Sequence, residues 1–139
     1  MKTKHIILLA IAVGIAFMAC QSAEMTAARV YIQQKDYSNA LAQLKVAAEK
    51  EPTNPEVFLM MGKLYADMDS IEQMNNAFDT ALELDSTKIR DIQDWRFDKR
   101  VEHFNRGIRA GENKQWERAK EATITAVSID PTFTDGWVN

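Results

Sequence analysis

The chain has 139 residues, 46% of them hydrophobic and 27% charged, and its 17 basic against 20 acidic residues give a formal net charge of −3. That balance argues against nucleic acid as a partner and against electrostatic attachment to anionic lipid. A single cysteine excludes an internal disulfide.

Residues 1–19 read as a leader. Lys2, Lys4 and His5 make a basic start, residues 6–18 are apolar apart from Gly14, and Ala19 precedes Cys20. A basic start, a short apolar run and a small residue before the cut describe a secretory signal peptide. An apolar run of about 13 residues is too short for a spanning helix, which needs about 20. Without the leader's two lysines, fifteen basic and twenty acidic residues remain, net −5, in one domain of about 120 residues. Phe17-Met18-Ala19-Cys20 resembles a bacterial lipobox. The resemblance implies that Cys20 becomes the lipidated first residue of the mature chain, with acyl chains as the membrane anchor. The alternative is a free thiol after a conventional signal. Gln21 in place of Asp implies the outer rather than the inner membrane.

The spacing predicts six helices. The first covers 22–34, and Lys35-Asp36-Tyr37 turns the chain with Asp36 placed as an N-cap. The second covers 38–51, carried by Leu41, Leu44 and Ala48 at helical spacing. Asn54 as N-cap and Pro55 at the first helical position open a third helix, predicted through Met68. Asp69-Ser70 makes a turn and the fourth helix covers 71–84. One long helix is expected over 88–110, then a turn at Gly111-Glu112-Asn113-Lys114, then a sixth helix over 115–129.

An echo at 34 residues runs through these elements. Tyr31, Ala40, Leu44, Ala47 and Pro52 recur as Tyr65, Met74, Phe78, Ala81 and Ser86. Gly62, Met74, Ala81 and Asp85 reappear 45 residues on as Gly107, Ala119, Ala126 and Asp130. A helical period of 34 is the mark of a helix–turn–helix solenoid. The step to 45 inserts about 11 residues near 89–99, close to three helical turns, so the helix should lengthen without rotating its buried face. Phe97, Val101, Phe104 and Ile108, at 4-3-4 spacing, are expected on that face. Gly62 is expected to admit the second helix closely.

Phe58, Met61-Gly62, Tyr65, Phe78 and Ala81 resemble the tetratricopeptide repeat, and the units at 21–54, 55–88 and 100–133 carry the pattern in phase. Trp137 stands in the Phe58 slot of a further unit beginning at 134. The resemblance implies an all-α solenoid of about three repeats, the third with an extended first helix. It further implies the layout of a lipid-anchored tetratricopeptide protein of Gram-negative bacteria, on the outer membrane and facing the periplasm.

In that family the first helix of each unit lines a groove for partner segments. The positions carried over are Met25, Arg29, Ile32 and Gln33; Leu59, Lys63, Ala66 and Asp67; and Phe104, Ile108 and Glu112. Arg29 and Lys63 are equivalent and would meet a carboxylate, while Met25, Leu59, Phe104 and Ile108 would offer apolar pockets. The two-carboxylate clamp known in the family is absent, because Met25 and Leu59 replace its Lys and Lys63 and Ile108 its Asn. Trp95 and Phe97 are read as core, or as an apolar ridge if they project past the stack.

No catalytic group is assigned. His5 leaves with the leader and His103 falls in a bulky packing slot, where it is expected buried and satisfied. One anchored Cys and one His assemble neither a nucleophile pair nor a zinc site, and no glycine-rich phosphate loop is present. The resemblance implies as function a protein–protein adaptor without cofactor or metal, binding another protein or peptide segment. The alternative is the N-terminal repeat portion of a larger envelope protein whose enzymatic or sensory domain lies downstream.

Overall fold

The computed structural model describes residues 22–130. The leader, Cys20 and the expected start of a further unit at 134–139 lie outside them. Six α-helices make up the described fold: α1 (Ala23–Gln33), α2 (Tyr37–Lys50), α3 (Pro55–Asp67), α4 (Ile71–Leu84), α5 (Ile89–Glu112) and α6 (Trp116–Ile129), with a 3₁₀ turn at Ser86–Lys88 before α5. They pair as α1–α2, α3–α4 and α5–α6.

The turn inside each pair is the same object. Lys35, Asp69 and Lys114 all have φ of 58°. The following N–H of Asp36, Ser70 and Gln115 reaches back to the carbonyls of Tyr31, Tyr65 and Ala110. This is a Schellman ending, whose left-handed residue is usually Gly because a Cβ is strained there. Asp36 then caps α2, accepting from the Asn39 N–H at 3.2 Å, so one residue closes one helix and opens the next. Asn54 caps α3 in the same way, accepting from the Glu56 N–H at 3.1 Å with Pro55 behind it.

Within a pair, small residues set the approach. A Cβ on Gly62 would stand 2.3 Å from Cδ1 of Phe78, which is fully buried. The glycine therefore gives the aromatic its seat, as its place in the pattern predicts. Ala28, Ala40, Leu44 and Leu64 form one buried cluster, and Leu59, Ala66, Met74, Phe78, Ala81, Ile92 and Ile129 another.

The long helix is present, and its placement explains the step from 34 to 45. It begins at Ile89, 34 residues after Pro55, and ends at Glu112, 45 after Asp67. Leu59 shares a cluster with Ile92, Lys63 meets Trp95, and Asp69 meets His103. The near-constant offset means that α5 runs parallel to α3. Its first part keeps the regular period, and the extra turns carry it past the α3–α4 turn by about 16 Å at 1.5 Å per residue. The turn into α6 comes late for the same reason. Gly111 and Glu112, expected in that turn, belong to the helix. α6 returns along α5 against Gly107, where a Cβ would lie 2.9 Å from Thr123 Oγ1. It reaches the stack only at its end, where Ser128 O accepts from Asn75 Nδ2 at 3.1 Å.

Two expectations about α5 are overturned. Phe97, Val101, Phe104 and Ile108 are not on the buried face; they are 54%, 40%, 50% and 46% exposed. The seam of α5 follows Ile92, Arg96, Arg100, His103, Gly107 and Ala110 instead. Each apolar residue stands one position later, about 100° further round the helix. The reason is polar pairing. Arg96 bonds Asn75 (3.2 Å) and Asp79 (2.7 Å), Arg100 lies 3.8 Å from Asp130, and His103 bonds Asp69. His103 is buried as expected, but only half satisfied: Nε2 faces Asp69 Oδ1 at 3.0 Å, while Nδ1 has no hydrogen-bond partner among the described residues.

Candidate functional site

The groove positions do not remain one surface. Met25 is buried with Ala47 and Val57, and Leu59 is buried with Phe78 and Ile92, so neither offers a pocket. In both cases the next first helix closes over them: Val57 of α3 covers Met25, and Ile92 of α5 covers Leu59. Ala66 is also fully buried. Ile32 is half-buried against the Ala28–Leu64 cluster. The Lys63 ammonium sits over the Trp95 ring, 5.7 Å from its centroid. Trp95 itself packs on the core, so of the two expected ridge residues only Phe97 stands out. Arg29, Gln33, Asp67 and Glu112 are exposed.

Of the expected groove positions, those that remain open and apolar are on α5. Phe104 and Ile108, both expected groove residues, line up with Phe97 and Val101 at 4-3-4 spacing along one edge of the helix. The guanidinium of Arg100 covers one end of the row, 5.4 Å from the Phe97 ring centroid. Sequence reasoning found this spacing but gave the row the wrong neighbour.

A second feature carries no sequence signal. The overhanging α5–α6 hairpin and the α3–α4 turn enclose a cleft of about 540 Å³, walled by Asp69, His103, Arg106, Arg109, Arg118 and Glu121 among others. Arg106 bridges Asp69 Oδ2 at 2.8 Å and Glu102 Oε1 at 3.0 Å. Burial pushes the Asp69 carboxyl up, but hydrogen bonds from Arg106 and His103 and their charges outweigh it, leaving it below its ordinary value. Arg106 is raised, chiefly by its hydrogen bond to Asp69. Asp69 is thus held ionised, accepting on both oxygens, at a residue already strained by its left-handed backbone. No group of three or more His, Cys, Asp or Glu side chains able to hold a metal occurs among the described residues. No helix among them is long and apolar enough to cross a membrane.

Comparison with known proteins agrees with this geometry. A family model described as "TPR repeat" matches residues 28–69, from the middle of α1 through the left-handed Asp69. The match supports a tetratricopeptide-repeat protein, and with the paired helices it defines the fold as an all-α tetratricopeptide solenoid. Repeats of this kind are typically non-catalytic scaffolds that bind other proteins or peptides. No curated protein and no solved structure matches the chain.

Proposed function

We propose that this protein is a lipid-anchored tetratricopeptide scaffold of the bacterial cell envelope, holding a partner segment along the exposed edge of α5. The observation that carries the scaffold part is the row Phe97, Val101, Phe104 and Ile108, four large apolar side chains 40–54% exposed on one helix. Soluble proteins keep such contiguous apolar surface chiefly where something docks. Two of the four, Phe104 and Ile108, fall at positions where the resemblance puts partner contacts. Partner capture by the full chain should be lost in a Phe104→Asp/Ile108→Asp double variant whose helical circular dichroism is unchanged. An unaltered partner set would remove the row from the binding surface.

The anchor part rests on the sequence around Cys20: the apolar run, the Ala before it, and its being the one cysteine in the chain. We place the protein on the outer membrane, facing the periplasm, because Gln21 rather than Asp follows. Metabolic labelling with a fatty acid should mark the wild type and not Cys20→Ser. Equal labelling of the two would end the lipoprotein reading and leave the scaffold reading intact.

A further inference from the structure

We infer that the open face of the α5–α6 hairpin pairs with the same face of a second copy of this chain, each copy's α5 row lying on α6 of the other. The inference rests on the proposed function in taking the α5 row as a docking surface, and it names what docks there.

α6 carries an apolar row of its own. Trp116, Ile124 and Val127 are 67%, 58% and 54% exposed. The side chains that join the hairpin to the α3–α4 core are Ile92 and Ile129. Both rows lie about 120–180° round their helices from those two, so both look away from the stack. α6 runs back along α5 with Gly107 opposite Ala119 and Thr123. That register puts Ile124 level with Phe104 and Val127 level with Val101. The two rows therefore form one face of seven large apolar side chains.

The repeat pattern marks this face as a junction. Phe104 stands in the slot of Met25 and Leu59, which are buried because the following first helix covers them. Val127 stands in the slot of Ala48 and Leu82, both packed on core clusters. Among the described residues no following helix covers Phe104 or Val127.

A second copy fits the face in shape, charge and area. An isologous contact turns one patch on itself. Because the two rows are level, a twofold axis along the hairpin sets Phe104 on Ile124 and Val101 on Val127 of the second copy, twice over. The product is an antiparallel four-helix bundle, in which helical hairpins bury such faces. Lys120 interrupts the α6 row, and Glu112 follows the α5 row one turn after Ile108. Both are exposed and without a charged partner among the described residues. The same axis brings Glu112 of each copy within a turn of Lys120 of the other. Three aromatics of about 200 Å², each roughly half exposed, and four aliphatics give the face on the order of 600 Å² per copy. About 1,200 Å² for the pair is the lower edge of specific interfaces, so the association is reversible.

The test uses the full chain as Cys20→Ser, which has no thiol to acylate or oxidise. Sedimentation equilibrium from about 1 to 500 µM should show a dimer half-formed in the tens of micromolar. Phe104→Asp/Ile108→Asp and, on the other helix, Ile124→Asp/Val127→Asp should each weaken it at least about tenfold with helical circular dichroism unchanged. Glu112→Lys should weaken it about threefold, and adding Lys120→Glu should restore it. Phe104→Cys mixed with Ile124→Cys should form a disulfide between copies, whereas Phe104→Cys with Lys45→Cys, exposed on α2, should not. A dimer indifferent to both aspartate pairs would place self-association elsewhere and overturn the inference. A monomer throughout would overturn it as well, and the α5 row would then stand or fall as a docking surface by its capture of other proteins. Dimerisation only after removal of residues 131–139 would give the face to the chain's own C-terminal segment, again against the inference.

Discussion

The second helical pair and the third are built on one pattern and behave differently. In α3–α4 the seam is apolar: Gly62 seats Phe78, and Leu59, Met74 and Ala81 close around it. In α5–α6 the slots equivalent to Phe58 and Phe78 hold His103 and Thr123, and Arg96 and Arg100 run along the same face. The difference follows from three extra turns of helix. They move α6 outward, so that its end rather than its length meets α4 through Ser128 and Ile129. The pair then has less to bury, and its interface tolerates charge. A regular unit stabilises the stack; a displaced one opens a cleft and exposes an apolar row.

The sharpest break of that comparison is a pair of phenylalanines. Phe78→Ala should destabilise by about 3–5 kcal/mol, the range for a large core aromatic. Phe104→Ala, at a half-exposed position, should stay within about 0.5 kcal/mol of wild type. Chemical denaturation of both variants checks this. Comparable losses would mean that the hairpin is packed as tightly as the second unit.

Much of this was legible in the sequence, and what was not has a common cause. The period placed the first four helices, Asp36 and Asn54 marked their caps, and the eleven extra residues announced one long helix. Periodicity fixes that a helix has a face, but not which of two adjacent stripes is turned inward. On α5 the apolar stripe and the Arg96–Arg100–His103 stripe share the same spacing, and only distant acids, Asp69, Asp79 and Asp130, select between them. Met25 and Leu59 misled for a related reason: their exposure depends on a helix more than 30 residues later. The cleft joins Asp69 to residues from 103 to 125, and no local pattern reports how far a hairpin overhangs.

Glycines give the next test. Gly62→Leu should destabilise by roughly 1–3 kcal/mol, because Phe78 is buried and cannot withdraw from the added atoms. Gly111 lies in the last turn of α5 with nothing within 4 Å of a built Cβ and no positive φ. There Gly111→Ala should stabilise by about 0.5–1 kcal/mol, through the lower backbone entropy of the unfolded chain. Thermal melts of the two variants moving in opposite directions would show one repeat position doing packing work and an overhang position doing none. An unchanged melting temperature for Gly62→Leu would refute the packing role.

The smallest effect concerns the join between the two pairs. Asp69 ties the α3–α4 turn to α5 through Arg106 and His103, and its carboxyl sits below its ordinary value. A depressed carboxyl contributes stability that is present above its unfolded pKa, about 3.9. That contribution is lost as pH falls through the lower folded value, since protonation removes the acceptor and the charge together. Asp69 and Arg106 are both more than 40% exposed, so solvent screens much of the pair and the loss should be modest. Melting temperatures from pH 6 down to about pH 2 should therefore fall less steeply for Asp69→Asn than for wild type. The two curves should converge at the acid end. Parallel curves throughout would mean that Asp69 makes no ionic tie between regular stack and displaced hairpin, and that the α5–α6 pair is held to the stack by Ile92 and Ile129 with the Arg96 and Ser128 contacts to α4.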